Sequence, residues 1–184
     1  QVAQLAYQMF SGMEYVHSRG ILHLDLKLDN ILIRNGSAKI ADFGLAVEKS
    51  KLPQSGISWE YAFDGSPSYY APERLLDGLV TEAADAWSLG VTLYFMTYEK
   101  WPTFVNCRLD ELKKENIKEY SKHVLQGTTV ADVRARQVLK IFGAPKHVIE
   151  ANSVDDLILG LLHPDPVKRT TIRNALKHPW FGSQ

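Results

Sequence analysis

The sequence predicts a mainly α-helical domain carrying one small β-hairpin. Three observations predict it. Apolar residues recur at helical spacing through residues 1–17, two short apolar runs flank Asn35-Gly36, and an apolar run over 91–96 fits a buried helix. The chain has 184 residues, 45% of them hydrophobic and 23% charged, enough for one globular domain with a sizeable core.

The first helix follows from Val2, Leu5, Ala6, Met9, Met13 and Val16, with Gly20 as terminator and Arg19 near the negative end of the helix. Asn35-Gly36 is the strongest short hairpin signal, because a type I′ turn needs positive φ at both central residues. It pairs Arg34 with Ser37, Ile31 with Ile40 and Asn30 with Ala41. Asn30 and Asp42 then leave the same open end, with side chains about 5–8 Å apart. One hard cation could bridge the amide oxygen of the first and the carboxylate of the second. Asp25 and Lys27 lie on the loop entering that end.

Residues 47–64 are polar and turn-rich, with Pro53 and Gly56, and read as a mobile surface segment whose Ser50, Ser55, Ser58 and Tyr61 are open to phosphorylation. Asp85 opens the helix that carries Trp87 and the run 91–96; a buried Asp there is expected to be paired, because an unpaired buried charge is costly. A charged amphipathic helix with Leu112 and Ile117 turned inward is expected over 109–123. Another is expected over 130–142, ended near Gly143 and Pro145. Region 101–153 as a whole reads as an elaborated helical insertion.

The charge balance, 21 basic against 21 acidic residues, argues against nucleic acid or an anionic membrane as the main partner. The single cysteine, Cys107, forms no internal disulfide and fits an intracellular, cytoplasmic setting. The apolar run around 87–96 is too short to span a bilayer and carries Ser88 and Thr92. The chain starts at Gln1 with no signal-peptide pattern and reads as a piece of something longer.

A free carboxylate, an ammonium and an Asn/Asp pair suit phosphoryl transfer, which needs positioning and charge neutralisation more than covalent help. Three motifs stand in order: His23-Leu24-Asp25-Leu26-Lys27-Leu28-Asp29-Asn30, Asp42-Phe43-Gly44 and Ala71-Pro72-Glu73. On these the chain resembles the protein-kinase family, serine/threonine type, whose signature set they match. The resemblance implies that Asp25 accepts the substrate hydroxyl proton and that Lys27 neutralises the transferred phosphate. Asn30 and Asp42 would hold the Mg2+ that bridges the phosphates of ATP, and Leu32 would floor the adenine. His23 and Phe43 would be structural.

The same resemblance places a catalytic stretch at 21–44 and an activation segment at 42–73. Within the latter, Ser66 would bridge Asp25 and Lys27, and Tyr69 would line the pocket for the residue after a Ser or Thr acceptor in a protein substrate. Asp85 would hold the catalytic-loop backbone. Asp165-Pro166-Val167-Lys168-Arg169 resembles the family's DPxxR, which implies a Glu73–Arg169 pair, and His178-Pro179-Trp180-Phe181 resembles the customary end of the lobe. One departure is Leu24, where the family usually has the Arg that gathers an activation-segment phosphate. Activity is therefore expected not to require phosphorylation through that position.

No Gly-x-Gly-x-x-Gly loop and no strand Lys with a Glu partner are found. The expectation is thus a partial kinase domain over 1–184: the C-terminal helical lobe, with the N-terminal β lobe absent and acting as its missing partner. By itself such a chain is expected to have little or no activity. Two alternatives stand beside the enzyme reading. One is a pseudokinase or scaffold that binds partners. The other is a small-molecule phosphotransferase of the aminoglycoside-kinase type, against which Lys27, the Asp-Phe-Gly and the docking loop count.

Overall fold

Regular apolar spacing in the first residues folds as α1 (Val2–Ser18), which buries Leu5, Met9, Phe10 and Met13 along one face. A computed structural model describes residues 1–102 and 148–182. Helix α1 stops where the Gly20 amide bonds the His17 carbonyl at 2.9 Å. Arg19 caps that end, and its guanidinium lies over the Tyr15 ring at 5.0 Å.

Strands β1 (Ile21–Leu22), β2 (Ile31–Arg34), β3 (Ser37–Ile40) and β4 (Val47–Glu48) follow. Asn35 and Gly36 sit at φ +51° and +74°, the left-handed pair that a two-residue hairpin needs. The register is the one that turn dictates: Arg34 opposite Ser37, Ile31 opposite Ile40. Strands β1 and β4 form a second antiparallel ladder, Ile21 opposite Glu48 and Leu22 opposite Val47.

The expected fold class needs correction here. A small β region of two separate sheets stands in the first 48 residues, ahead of most helices, so the description as a helical lobe with one hairpin and no N-terminal β part does not hold. The physical reason is length. Two-residue strands carry no readable alternation, and β1 meets β4 only because the intervening hairpin returns the chain to its start.

Beyond the sheets come α2 (Trp59–Ala62), α3 (Pro72–Asp77), α4 (Glu82–Tyr98), α5 (Val154–Leu161) and α6 (Ile172–Ala175). Helix α4 is the axis of the core, buried without a break from Ala84 to Tyr94. Phe10 and Met13 of α1 and Leu157 and Leu161 of α5 belong to the same cluster. Each fully buried Leu or Phe contributes roughly 1.5–3 kcal/mol relative to exposure. The hydroxyls α4 takes into this core are satisfied: Ser88 donates to the Tyr69 carbonyl at 2.9 Å, and Thr92 to the Ser88 carbonyl at 2.9 Å.

Segment 47–64 is mostly exposed or half-buried, with two side chains anchored inward. Val47 and Ala62 are buried with Leu22, Leu24 and Val80 in a second, smaller cluster. The helices expected over 109–123 and 130–142, most of region 101–153, and Cys107 lie outside the described residues. Among the described residues no helix is long and apolar enough to cross a membrane.

Candidate active site

The hairpin brings Asn30 and Asp42 to one rim. Ile31 faces Ile40, and one step further the Ala41 amide bonds the Asn30 carbonyl at 2.9 Å. Asn30 is buried, whereas Asp42 is exposed at φ +61°, with its Oδ1 accepting from the Gly44 amide at 3.2 Å. Both present hard oxygen donors.

Asp25 sits at the centre, 8% exposed. Lys27 Nζ donates to its Oδ2 at 2.9 Å, and Asn30 Nδ2 to the same oxygen at 3.2 Å and to the Asp25 carbonyl at 2.8 Å. Ser66 Oγ donates to Oδ1 at 2.9 Å and accepts from Lys27 Nζ at 3.0 Å. Burial alone would push the Asp25 carboxyl up. The hydrogen bonds from Lys27 and Ser66, the Lys27 charge and Asn30 outweigh it, and the net effect lowers the carboxyl below the ordinary aspartate value. The group is an anion at neutral pH, with an ammonium and a hydroxyl at its two oxygens.

Asp85 holds the loop from below. Its Oδ2 accepts from the His23 amide at 2.9 Å and from His17 Nε2 at 2.8 Å, and its Oδ1 from the Leu24 amide at 2.9 Å. His23 is fully buried. The Asp25 amide donates to its Nδ1 at 3.3 Å, which leaves Nε2 to donate to the Ala41 carbonyl at 3.1 Å. One imidazole thus ties the Asp25 backbone to the strand leading into Asp42. The Phe43 ring lies 4.8 Å from that imidazole and is 45% exposed. Leu32, expected to floor a base, is exposed on β2.

Ser66 reaches Asp25 because Gly65 lets the two backbones touch. A Cβ on Gly65 would stand 2.9 Å from both Asp25 Oδ1 and the Leu24 carbonyl, and its φ is +102°. Tyr69 is buried behind the loop; its hydroxyl accepts from the Leu28 amide at 3.3 Å, and its ring meets Trp101 edge-on at 5.4 Å. Farther down, Glu73 and Arg169 are buried together, with Arg169 also over the Trp87 ring at 4.9 Å.

Two residues escaped the sequence reading. His17 follows Met13 by four positions on the buried face of α1, a usable signal for a paired core histidine. Arg74 had none. A cavity of about 1110 Å³ lies elsewhere, lined among others by Glu14, Leu52, Thr81 and Arg173; none of Asp25, Lys27, Asn30 or Asp42 lines it. Among the described residues no group of three His, Cys, Asp or Glu side chains could hold a metal ion alone.

The protein kinase domain model matches residues 1–181. The chain belongs to the protein kinase domain family. That match over residues 1–181 is a second reason to set aside the description of one lobe alone. The chain is 33% identical over 190 residues to the probable serine/threonine-protein kinase fhkB of Dictyostelium discoideum, covering 98% of the chain and 14% of that protein. It is 31% identical over 176 residues to CBL-interacting protein kinase 31 of Oryza sativa subsp. japonica, covering 95% of the chain and 33% of that protein. It is 33% identical over 186 residues to serine/threonine-protein kinase PLK4 of Nematostella vectensis, covering 100% of the chain and 16% of that protein. The chain thus spans about a third or less of the length of these relatives.

Proposed function

We propose that this kinase-family chain serves the transfer of the γ-phosphoryl group of ATP to serine and threonine hydroxyls of proteins. The observation that carries the reading is the Asp25 carboxylate, ionised and held between Lys27 and Ser66. Asp25 is the catalytic residue: Oδ1, which accepts from the Ser66 hydroxyl, is the atom that would take the proton of an incoming alcohol. Lys27 supplies the ammonium that neutralises charge on the transferred group. Ser66 and Tyr69 frame the acceptor, Ser66 through both Asp25 and Lys27.

The amide oxygen of Asn30 and the carboxylate of Asp42 fit Mg2+, since both are hard oxygen donors and neither is the His or Cys that softer metals favour. When bound, the ion supplies charge neutralisation on the nucleotide phosphates. Leu32 and the hairpin face beside it offer apolar surface to the base.

The experiment is Mg-ATP-dependent labelling of a serine/threonine peptide library by the full-length protein, with Asp42→Asn as control. Label on serine or threonine, lost in the control and on chelation of Mg2+, is the expected result. Binding of Mg-ATP without transfer to any peptide sinks the reading and favours a scaffold; transfer to a sugar or choline alone favours a small-molecule phosphotransferase.

A further inference from the structure

Arg74 is 2% exposed, yet every hydrogen bond it makes among the described residues goes to a backbone carbonyl. Nη1 donates to the Leu24 carbonyl at 2.7 Å, and Nη2 to the Tyr61 carbonyl at 2.9 Å and to that of Asp64. Nε has no partner among the described residues. Under the guanidinium lies the Tyr70 ring, 4.6 Å away, whose hydroxyl donates to the carbonyls of Phe63 at 2.8 Å and Gly65 at 3.0 Å. The carbonyls of residues 24, 61, 63, 64 and 65 therefore converge. Such a cluster of oxygen dipoles repels itself unless donors, best a cation, stand among them.

What converges there leads directly to Asp25. Leu24 has φ +65°, a strained value for a branched residue, with its amide held by Asp85 and its carbonyl by Arg74. Asp25 is the next residue. On the facing strand of chain, Gly65 touches Asp25 and Ser66 bonds it. The Leu24 side chain is apolar and buried, so the cation at this junction comes from Arg74.

We propose that Arg74 is a positioning residue whose guanidinium clamps the carbonyls of Leu24, Tyr61 and Asp64, and so holds segment 61–66 against Asp25 with no added group. A guanidinium aims five N–H donors in fixed directions from three nitrogens and so reaches acceptors on two sides at once, whereas an ammonium gathers its three donors on one rotating nitrogen. The clamp is permanent, a feature of the fold rather than of a modification.

The test uses the full-length protein and rests on the phosphoryl-transfer reading for its kinetic arm only. In Arg74→Met, kcat on a serine/threonine peptide is expected to fall about 100-fold, the scale set by misplacing a reacting group by an ångström. KM for Mg-ATP stays within about twofold, because Asn30 and Asp42 are untouched. The amides of Gly65 and Ser66 exchange with solvent at least about tenfold faster than in the parent. Phosphatase treatment of the parent leaves kcat unchanged. The clamp is overturned by an Arg74→Met kcat within about twofold of the parent, by unchanged exchange, by joint loss of kcat and Mg-ATP binding, or by loss of activity on dephosphorylation. If Arg74→Met does not fold, Arg74→Lys decides: partial loss on both readouts supports the clamp and parental values overturn it. Should the parent transfer no phosphate, the proposed function fails while the exchange measurement still decides the clamp.

Discussion

Glu73 and Arg169, 96 residues apart, meet in a two-pronged buried pair with Nη1–Oε1 at 2.5 Å and Nη2–Oε2 at 2.8 Å. Arg169 also donates to the carbonyls of Ala83 at 2.7 Å and His163 at 2.9 Å, so one guanidinium joins α3, the start of α4 and the loop after α5. Removing one partner leaves the other charged and buried without its counter-ion. Glu73→Gln or Arg169→Met should each destabilise by about 3–5 kcal/mol, and the apolar double replacement by less than the sum of the two. Urea unfolding of the three variants checks this; strictly additive losses would contradict the pairing.

Asp85 predicts an acid-side loss of stability. Burial by itself would raise its carboxyl, but the hydrogen bond and charge of His17, then the amides of His23 and Leu24, outweigh it and lower the carboxyl below its ordinary value. A folded-state value below the unfolded one means stabilisation that is fully present above the unfolded pKa. It is lost as pH falls through the folded value, and Asp25 acts in the same direction. Asp85→Asn should be less stable at neutral pH and show a flatter decline of Tm below about pH 4. Equal acid slopes for the variant and the parent would refute this.

Gly65 and Gly36 make a controlled comparison. Both have positive φ, but only Gly65 has Asp25 Oδ1 and the Leu24 carbonyl 2.9 Å from where a Cβ would stand, while nothing lies within 4 Å at Gly36. Gly65→Ala should lower kcat by about 100-fold through displacement of Ser66 and Asp25. Gly36→Ala should leave kcat unchanged and cost about 1–2 kcal/mol of backbone strain. Steady-state kinetics with thermal melts separates the two, and similar kcat values for both variants would count against the close approach.

Replacing the base itself gives the plainest outcome. Asp25→Asn should cut kcat by about 10²–10⁴-fold with Mg-ATP affinity little changed, since its neighbours Asn30 and Asp42 remain. Isothermal titration and peptide phosphorylation read the two quantities. Undiminished turnover would remove Asp25 from the mechanism.

The hairpin and the rim it creates were legible in the chain because the information is local. Asn35-Gly36 dictates a turn, and the turn dictates which residues face each other, so Asn30 and Asp42 follow. Helix α1 was legible for the same reason: its apolar spacing is a property of consecutive residues. Strands β1 and β4 were not, being two residues each and paired across the hairpin, and the fold class drawn without them had to be revised. Segment 47–64 read as solvated chain although Val47 and Ala62 are buried, because polar composition does not reveal which few side chains a neighbouring cluster will accept.

Chain order alone told which residue types were present and how close along the backbone they stood; that was enough for the acidic rim and the helical periodicities. Three-dimensional packing decided that a histidine from α1 would steady Asp85, and that an arginine after Pro72-Glu73 would turn inward to gather carbonyls beside Asp25. The reason is physical. Hydrogen bonds to backbone oxygens depend on where the main chain has been brought, and no pattern of side chains along the polymer records it.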